Sequence, residues 1–118
     1  MKALPKAHVK EVLAAWSKVY RVFAPARKDQ GDVLFDRFDA ASFTLDYRKP
    51  PLPPKSAYLP HNEVIYEVDE GDYREVLSGE PTVLFGIRAC DAAGIAQSTH
   101  FMGRDRDDLY CRRKAELT

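Results

Sequence analysis

The residues whose types and spacing point to chemistry lie in one stretch, Pro81 to Ala96. Its apolar run Val83-Leu84-Phe85 predicts a buried strand that breaks at Gly86 and delivers Arg88, Cys90 and Asp91 to the turn before a helix. Strand C-termini followed by helix N-termini gather free backbone N–H groups and the positive end of the helix dipole, and α/β proteins place ligands there. A thiol at that point is biased toward thiolate, the form that attacks electrophiles or binds metal. Cys90 is therefore the candidate nucleophile or redox thiol. Arg88, two residues before it, adds positive charge. Asp91 is expected to cap the helix, and its carboxylate would oppose the thiolate if turned inward. Each has a plainer reading: a small buried thiol, a solvated arginine and a simple helix cap. Gly86 and Gly94 permit close backbone approach without forming a GxGxxG fingerprint.

Outside this stretch, His61 and Glu63 stand two apart after Pro60, so in extended chain they share one face. There they could bind a ligand or relay a proton, or be a solvated pair. His8 and His100 read as a surface residue and a helix C-terminal cation. Cys111, beside Arg112 and Arg113, reads as a bystander on a charged tail. The basic cluster Arg112-Arg113-Lys114 is compensated by Asp105, Asp107 and Asp108, which makes a solvated or partner-facing strip rather than a nucleic-acid patch.

The elements that must position these groups follow from periodicity. Val9, Val12, Leu13, Trp16, Val19 and Tyr20 form one helical stripe between His8 and Tyr20. Val19 to Phe23 is expected to become a strand stopped by Ala24-Pro25. Val33 to Phe38 pairs back on it, making a hairpin around Pro25–Asp32 with a turn at Gln30-Gly31-Asp32. Ser42 to Tyr47 alternates as a short edge strand or extended loop. Lys49 to Lys55 holds four prolines in seven residues, so 49–60 reads as an extended connector or a partner-docking arm. A strand is expected at Val64–Tyr66, a short helix at Asp72–Leu77 stopped by Gly79, a strand at Thr82–Phe85 and a helix from Asp91 to about Phe101 ended by Gly103. The tail from Arg104 is charged and helical at best.

With 118 residues, 45% hydrophobic and 31% charged, the chain fits one globular domain over 1–118. The expected class is α/β, a mixed sheet with packed helices, with α+β as the alternative. Eighteen basic residues balance eighteen acidic ones, so no net field draws the chain to nucleic acid or an anionic membrane. No apolar run approaches the roughly 20 residues that span a bilayer. The N-terminus lacks the apolar core of a secretory signal, which predicts a cytoplasmic protein. Two cysteines are too few for a disulfide scaffold or for a zinc or iron–sulfur site held by this chain alone.

In order, Leu52-Pro-Pro-Lys55, Leu59-Pro-His-Asn-Glu63, Leu84-Phe-Gly-Ile-Arg-Ala-Cys-Asp91 and Tyr110-Cys-Arg-Arg113 resemble the N-terminal part of an iron–sulfur subunit family. These are the beta subunits of sulfhydrogenase-type hydrogenases and the related A subunit of anaerobic sulfite reductase. The resemblance covers about Val19 to Arg113. Ala89 departs from it by replacing a proline before the cysteine, and Cys111 departs by standing where another residue is usual. The sequence also stops before the Cys-rich region that carries two [4Fe–4S] clusters in such proteins. The resemblance implies the N-terminal module of an electron-transfer subunit, with clusters in a C-terminal extension or a partner and flavin on a partner subunit. It further implies other oxidoreductase subunits as partners, and Arg88, Cys90 and Asp91 facing the redox centre or a negatively charged cofactor. Two further readings stay open, a thiol-dependent enzyme using Cys90 and a docking or assembly module without chemistry.

Overall fold

A computed structural model describes residues 3–48, 50–59, 61–77, 79–105 and 108–118. The N-terminal Met1 and Lys2, the connector ends Lys49 and Pro60, and Asp107 of the tail strip lie outside the described residues. A 3-10 turn at Lys6–His8 leads into α1, Val9–Trp16. Val9 and Leu13, four apart, turn their side chains inward and pack with Val22 and Ala24 of the sheet. The helix stops four residues short of the expected Tyr20. The Val19 and Tyr20 N–H groups fold back onto the Trp16 carbonyl, and the Arg21 N–H is claimed by the Pro81 carbonyl at 2.8 Å.

β1 (Arg21–Arg27) pairs antiparallel with β2 (Val33–Arg37) and parallel with β5 (Thr82–Leu84), giving the order β2-β1-β5. The hairpin expected around Pro25–Asp32 forms, with its loop at 28–32 and Gly31 at φ +85°. Proline does not stop the strand, contrary to expectation. Pro25 pairs with Phe35 across the hairpin, and its ring, which has no N–H to satisfy, lies against Gly86 on the other side. The stretch after β2 is an extended loop with one bridge, Phe43 to Ala26. Phe38, Phe43, Val83 and Phe85 close the core around Val22 and Ala24.

Two elements differ from the sequence reading. Within the proline-rich stretch, Lys55–Tyr58 forms a helical turn, α2, where extended chain was expected. Pro54 stands at its start, a position where a missing N–H costs nothing, and Tyr58 is buried. Pro50 and Pro54 are buried as well. The helix expected at Asp72–Leu77 is instead β4 (Asp72–Glu75), joined in a hairpin to β3 (Tyr66–Asp69). Glu70 at φ +48° and Gly71 at φ +94° make the left-handed pair that a two-residue hairpin needs. The strand expected at Val64–Tyr66 thus starts at Tyr66.

After β5, α3 runs from Ala89 to Met102 and ends at Gly103, as expected. α4 (Leu109–Leu117) is capped by Asp108, whose carboxylate accepts the Cys111 N–H at 2.8 Å. The mixed sheet with its helices is an α/β arrangement.

Candidate functional site

The β5–α3 turn is fixed from three directions. The Phe85 N–H donates to the Phe23 carbonyl at 2.9 Å, which holds the end of β5 on β1. Gly86 follows at φ +78°, a left-handed conformation that costs an L-residue roughly 1–2 kcal/mol. A methyl group placed on Gly86 would lie 3.2 Å from Pro25 Cγ and 3.3 Å from the Tyr47 hydroxyl. That hydroxyl donates to the Gly86 carbonyl, and the Tyr47 ring meets Phe35 edge-on at 6.3 Å. Gly86 is therefore a site of close approach. Gly94 is not, because nothing stands within 4 Å of a methyl group placed there.

Arg88 is the N-cap residue of α3, and no side chain caps the helix. Asp91, expected as the cap, sits in the third helical position and takes Arg88 as its partner. Arg88 Nε and Nη2 reach its two carboxylate oxygens at 3.0 and 3.4 Å. Spacing explains the exchange: residues three apart at a helix start face each other, and a planar guanidinium matches a carboxylate better than one backbone N–H does. The hydrogen bond to Asp91 raises the Arg88 pKa, so the guanidinium stays charged. The Asp91 side chain is only 10% exposed. Burial pushes the Tyr47 phenol up, while Arg88 pulls it down and Asp91 pushes it up further, so the three groups share one electrostatic environment.

Cys90 is exposed on the first turn of α3, between Ala89 and Asp91. Its neighbours are the Arg88–Asp91 pair and the first turn of α3. Cys111 is buried on α4 against the Tyr58 hydroxyl region, a structural position. His61 is exposed and lines a shallow groove of about 310 Å³ with Leu52, Pro53 and Lys55. Glu63 is half-buried and accepts the Lys114 ammonium from α4. No hydrogen bond joins His61 to Glu63, or either to Cys90, among the described residues. The structure brings Arg88, Cys90 and Asp91 together and leaves His61 and Glu63 apart from them.

Tyr47 and Pro25 were not singled out from the sequence as parts of this turn. They meet Gly86 across 39 and 61 residues of chain, a separation that spacing does not encode. A second cluster, likewise not foreseen, links α2 to α3: the Tyr58 hydroxyl shares a 2.7 Å hydrogen bond with Thr99 Oγ1, which donates onward to the Ile95 carbonyl.

An iron–sulfur cluster of the standard kind takes four thiolates. Here one thiol is exposed at the start of α3 and the other is buried on α4. Among the described residues, no three His, Cys, Asp or Glu side chains converge on a point that could hold a metal ion. This donor set does not fit such a cluster. Among the described residues no helix is long and apolar enough to cross a membrane.

No protein family profile matches the chain, and no solved structure does. Sulfhydrogenase 2 subunit beta of Pyrococcus furiosus is 26% identical over 98 residues. The match takes in 82% of this chain and 29% of that protein's length. The relationship is a distant one, and it covers the β5–α3 turn within a chain much shorter than the relative.

Proposed function

We propose that these 118 residues are a module of an iron–sulfur electron-transfer subunit in a multi-subunit oxidoreductase. The observation that carries this reading is the likeness to a sulfhydrogenase beta subunit across 82% of the chain. The clusters belong to polypeptide outside these residues, since two separated thiols cannot hold one. The module's task is positional. It presents a turn braced by Gly86, Pro25 and Tyr47, with Arg88 locked to Asp91 and Cys90 at the surface, to the redox-active part of the assembly. Partners are other oxidoreductase subunits, and the site of action is the cytoplasm.

A thiol-dependent enzyme is the weaker reading. A nucleophilic Cys90 needs a base within hydrogen-bond reach, and His61 lines a separate groove. A free proline docking arm is also less favoured, because Pro50 and Pro54 are packed into the fold.

The test is anaerobic purification of the longest natural polypeptide with its co-purifying partners. Iron and acid-labile sulfide are measured, and reduced-state EPR is recorded. Several irons per polypeptide with a matching amount of sulfide are expected. A natural polypeptide that brings neither iron nor an iron-bearing partner would sink the proposal.

A further inference from the structure

The end of the sheet where β1 and β5 begin gathers like charges. Arg21 and Phe23 lie two apart on β1 and so share one face, and Arg37 of β2 stands directly opposite Phe23. Arg21 and Arg37 are therefore diagonal neighbours on that face, a pairing of like charges from which a sheet gains nothing. Lys18, in the turn after α1, joins them. The three cations line a cleft of about 500 Å³, and Glu80 is the one carboxylate among its described lining residues.

Compensation within the chain is incomplete. Glu80 reaches Arg37 at 3.5 Å, a long contact between side chains that are 67% and 69% exposed, and such a pair contributes little. Among the described residues, Lys18 and Arg21 have no carboxylate partner. Arg21 is half-buried. Its Nε is sealed from solvent without a hydrogen-bond partner, and its guanidinium carbon sits 5.4 Å from the centre of the Phe23 ring. A guanidinium held by a ring, with one N–H buried and unmet, is a cation awaiting a counter-charge. Three cations less one carboxylate leave the lining with two positive charges.

The cleft is also built in advance. The Arg21 N–H donates to the Pro81 carbonyl at 2.8 Å and the Phe38 N–H to the Val22 carbonyl at 2.8 Å. These bonds hold the turn after α1, the end of β2 and the start of β5 together before any ligand arrives. Tyr20 and Phe38 add aromatic surface to the walls.

We infer that this cleft binds a small organic phosphate monoester. Such a group carries about two negative charges at neutral pH, which matches the excess in the lining. Guanidiniums from neighbouring strands offer paired N–H groups to its oxygens, and Lys18 adds a point charge. The volume falls within the roughly 300–1,000 Å³ of small-molecule sites, so the organic remainder has room against Tyr20 and Phe38. The positive excess is confined to one cleft of a chain with no net charge, which favours a small ligand over a nucleic acid. The cleft lies at the start of β5 and the Cys90 turn at its end, so the inference does not depend on electron transfer.

The test is isothermal titration calorimetry of the natural polypeptide with phenyl phosphate, inorganic phosphate and benzoate at constant ionic strength. Phenyl phosphate is expected to bind once per chain with a Kd below about 1 mM, and more tightly than the other two. Lys18→Gln, which breaks no side-chain contact among the described residues, and Arg21→Gln should each weaken it by about tenfold. Arg104→Gln removes a 72% exposed cation outside the cleft and should change the Kd by less than about twofold. No binding of phenyl phosphate at about 10 mM would overturn the inference. So would equal affinity for benzoate or inorganic phosphate, an unchanged Kd in Lys18→Gln or in folded Arg21→Gln, or an equal loss in Arg104→Gln. A phosphate effect that consists of dissociating a dimer would also overturn it, because the cleft would then belong to a second copy's carboxylates.

Discussion

Replacing Gly86 with alanine tests whether the β5–α3 turn is braced as described. The residue sits at φ +78°, so any L-side chain meets a backbone penalty of about 1–2 kcal/mol. The new methyl also arrives 3.2 Å from Pro25 Cγ and 3.3 Å from the Tyr47 hydroxyl, tighter than ordinary van der Waals contact. Pro25 is fully buried within β1 and cannot yield without moving the strand, which adds about 1 kcal/mol at the low end of overpacking costs. Lower chain entropy in the unfolded state returns about 0.4–1 kcal/mol. The net expectation is a loss of about 2 kcal/mol, or a melting midpoint lower by about 8 °C. Gly94→Ala is the control. It lies inside α3 with nothing within 4 Å of the new methyl and should gain about 0.8–1 kcal/mol from helix propensity. Urea unfolding followed by far-UV circular dichroism measures both. Repeating Gly86→Ala in a Pro25→Ala background separates the contact from the backbone penalty, since only the contact is relieved. A Gly86→Ala protein within 0.5 kcal/mol of its parent, or Gly94→Ala falling as far as Gly86→Ala, would refute the reasoning.

Three further outcomes are expected. Iodoacetamide on the native protein should modify exposed Cys90 and spare buried Cys111 until urea is added, and Cys90→Ser should abolish the native signal; equal labelling of both thiols contradicts the placement of α4. Lys114→Met strips the ammonium from Glu63, whose side chain is only 20% exposed, and should lower stability by about 1–3 kcal/mol. Arg74→Met, which removes a 78% exposed side chain from its ion pair with the half-exposed Glu67, should leave the urea midpoint unchanged, and equal effects at the two sites would argue against the burial contrast. In alkali, burial raises Tyr47 and Tyr58, and burial with the Glu75 carboxylate pushes Tyr110 up to about 12. The neutral phenols favour the folded state, so their contribution is complete below pH 10 and is lost as pH rises from 10 toward 12. Absorbance at 295 nm that completes for all six tyrosines in one step at pH 10, with no change in the unfolding midpoint, would contradict this.

Local signals carried some parts of the fold well. The β1–β2 hairpin was legible because Gly31 supplies a left-handed turn between two apolar runs. The β5–α3 turn was legible because an apolar run breaks at Gly86 and Gly103 ends the helix. β4 was not. Tyr73, Val76 and Leu77 imitate helical spacing, and the turn hinges on Glu70, a residue that seldom adopts positive φ. Pro25 misled for a related reason: a proline reads as a strand end unless the sheet leaves that N–H position vacant, which is tertiary information. At the candidate site, the types and proximity of Arg88, Cys90 and Asp91 were visible, but Asp91 satisfies both a cap and an ion-pair pattern. Only the geometry of the guanidinium selects the second. Tyr47 could not be found, because its partner is distant in sequence and its own segment carries no motif.

The parallel pairing of β1 with β5 joins Arg21 to Thr82. Bringing together residues about 60 positions apart carries a loop-closure term of about 3.6 kcal/mol, beyond a constant, before any contact repays it. The β1–β2 hairpin closes over a handful of residues and carries far less. During synthesis from the N-terminus, β1 and β2 can therefore zip together while the Arg21–Phe23 edge waits for a strand not yet made. Only when Thr82–Leu84 has emerged can the edge be sealed and the Gly86 turn set. The turn that bears Cys90 is in this sense the last joint of the sheet to lock, and any agent that delays β5 leaves that thiol without its frame.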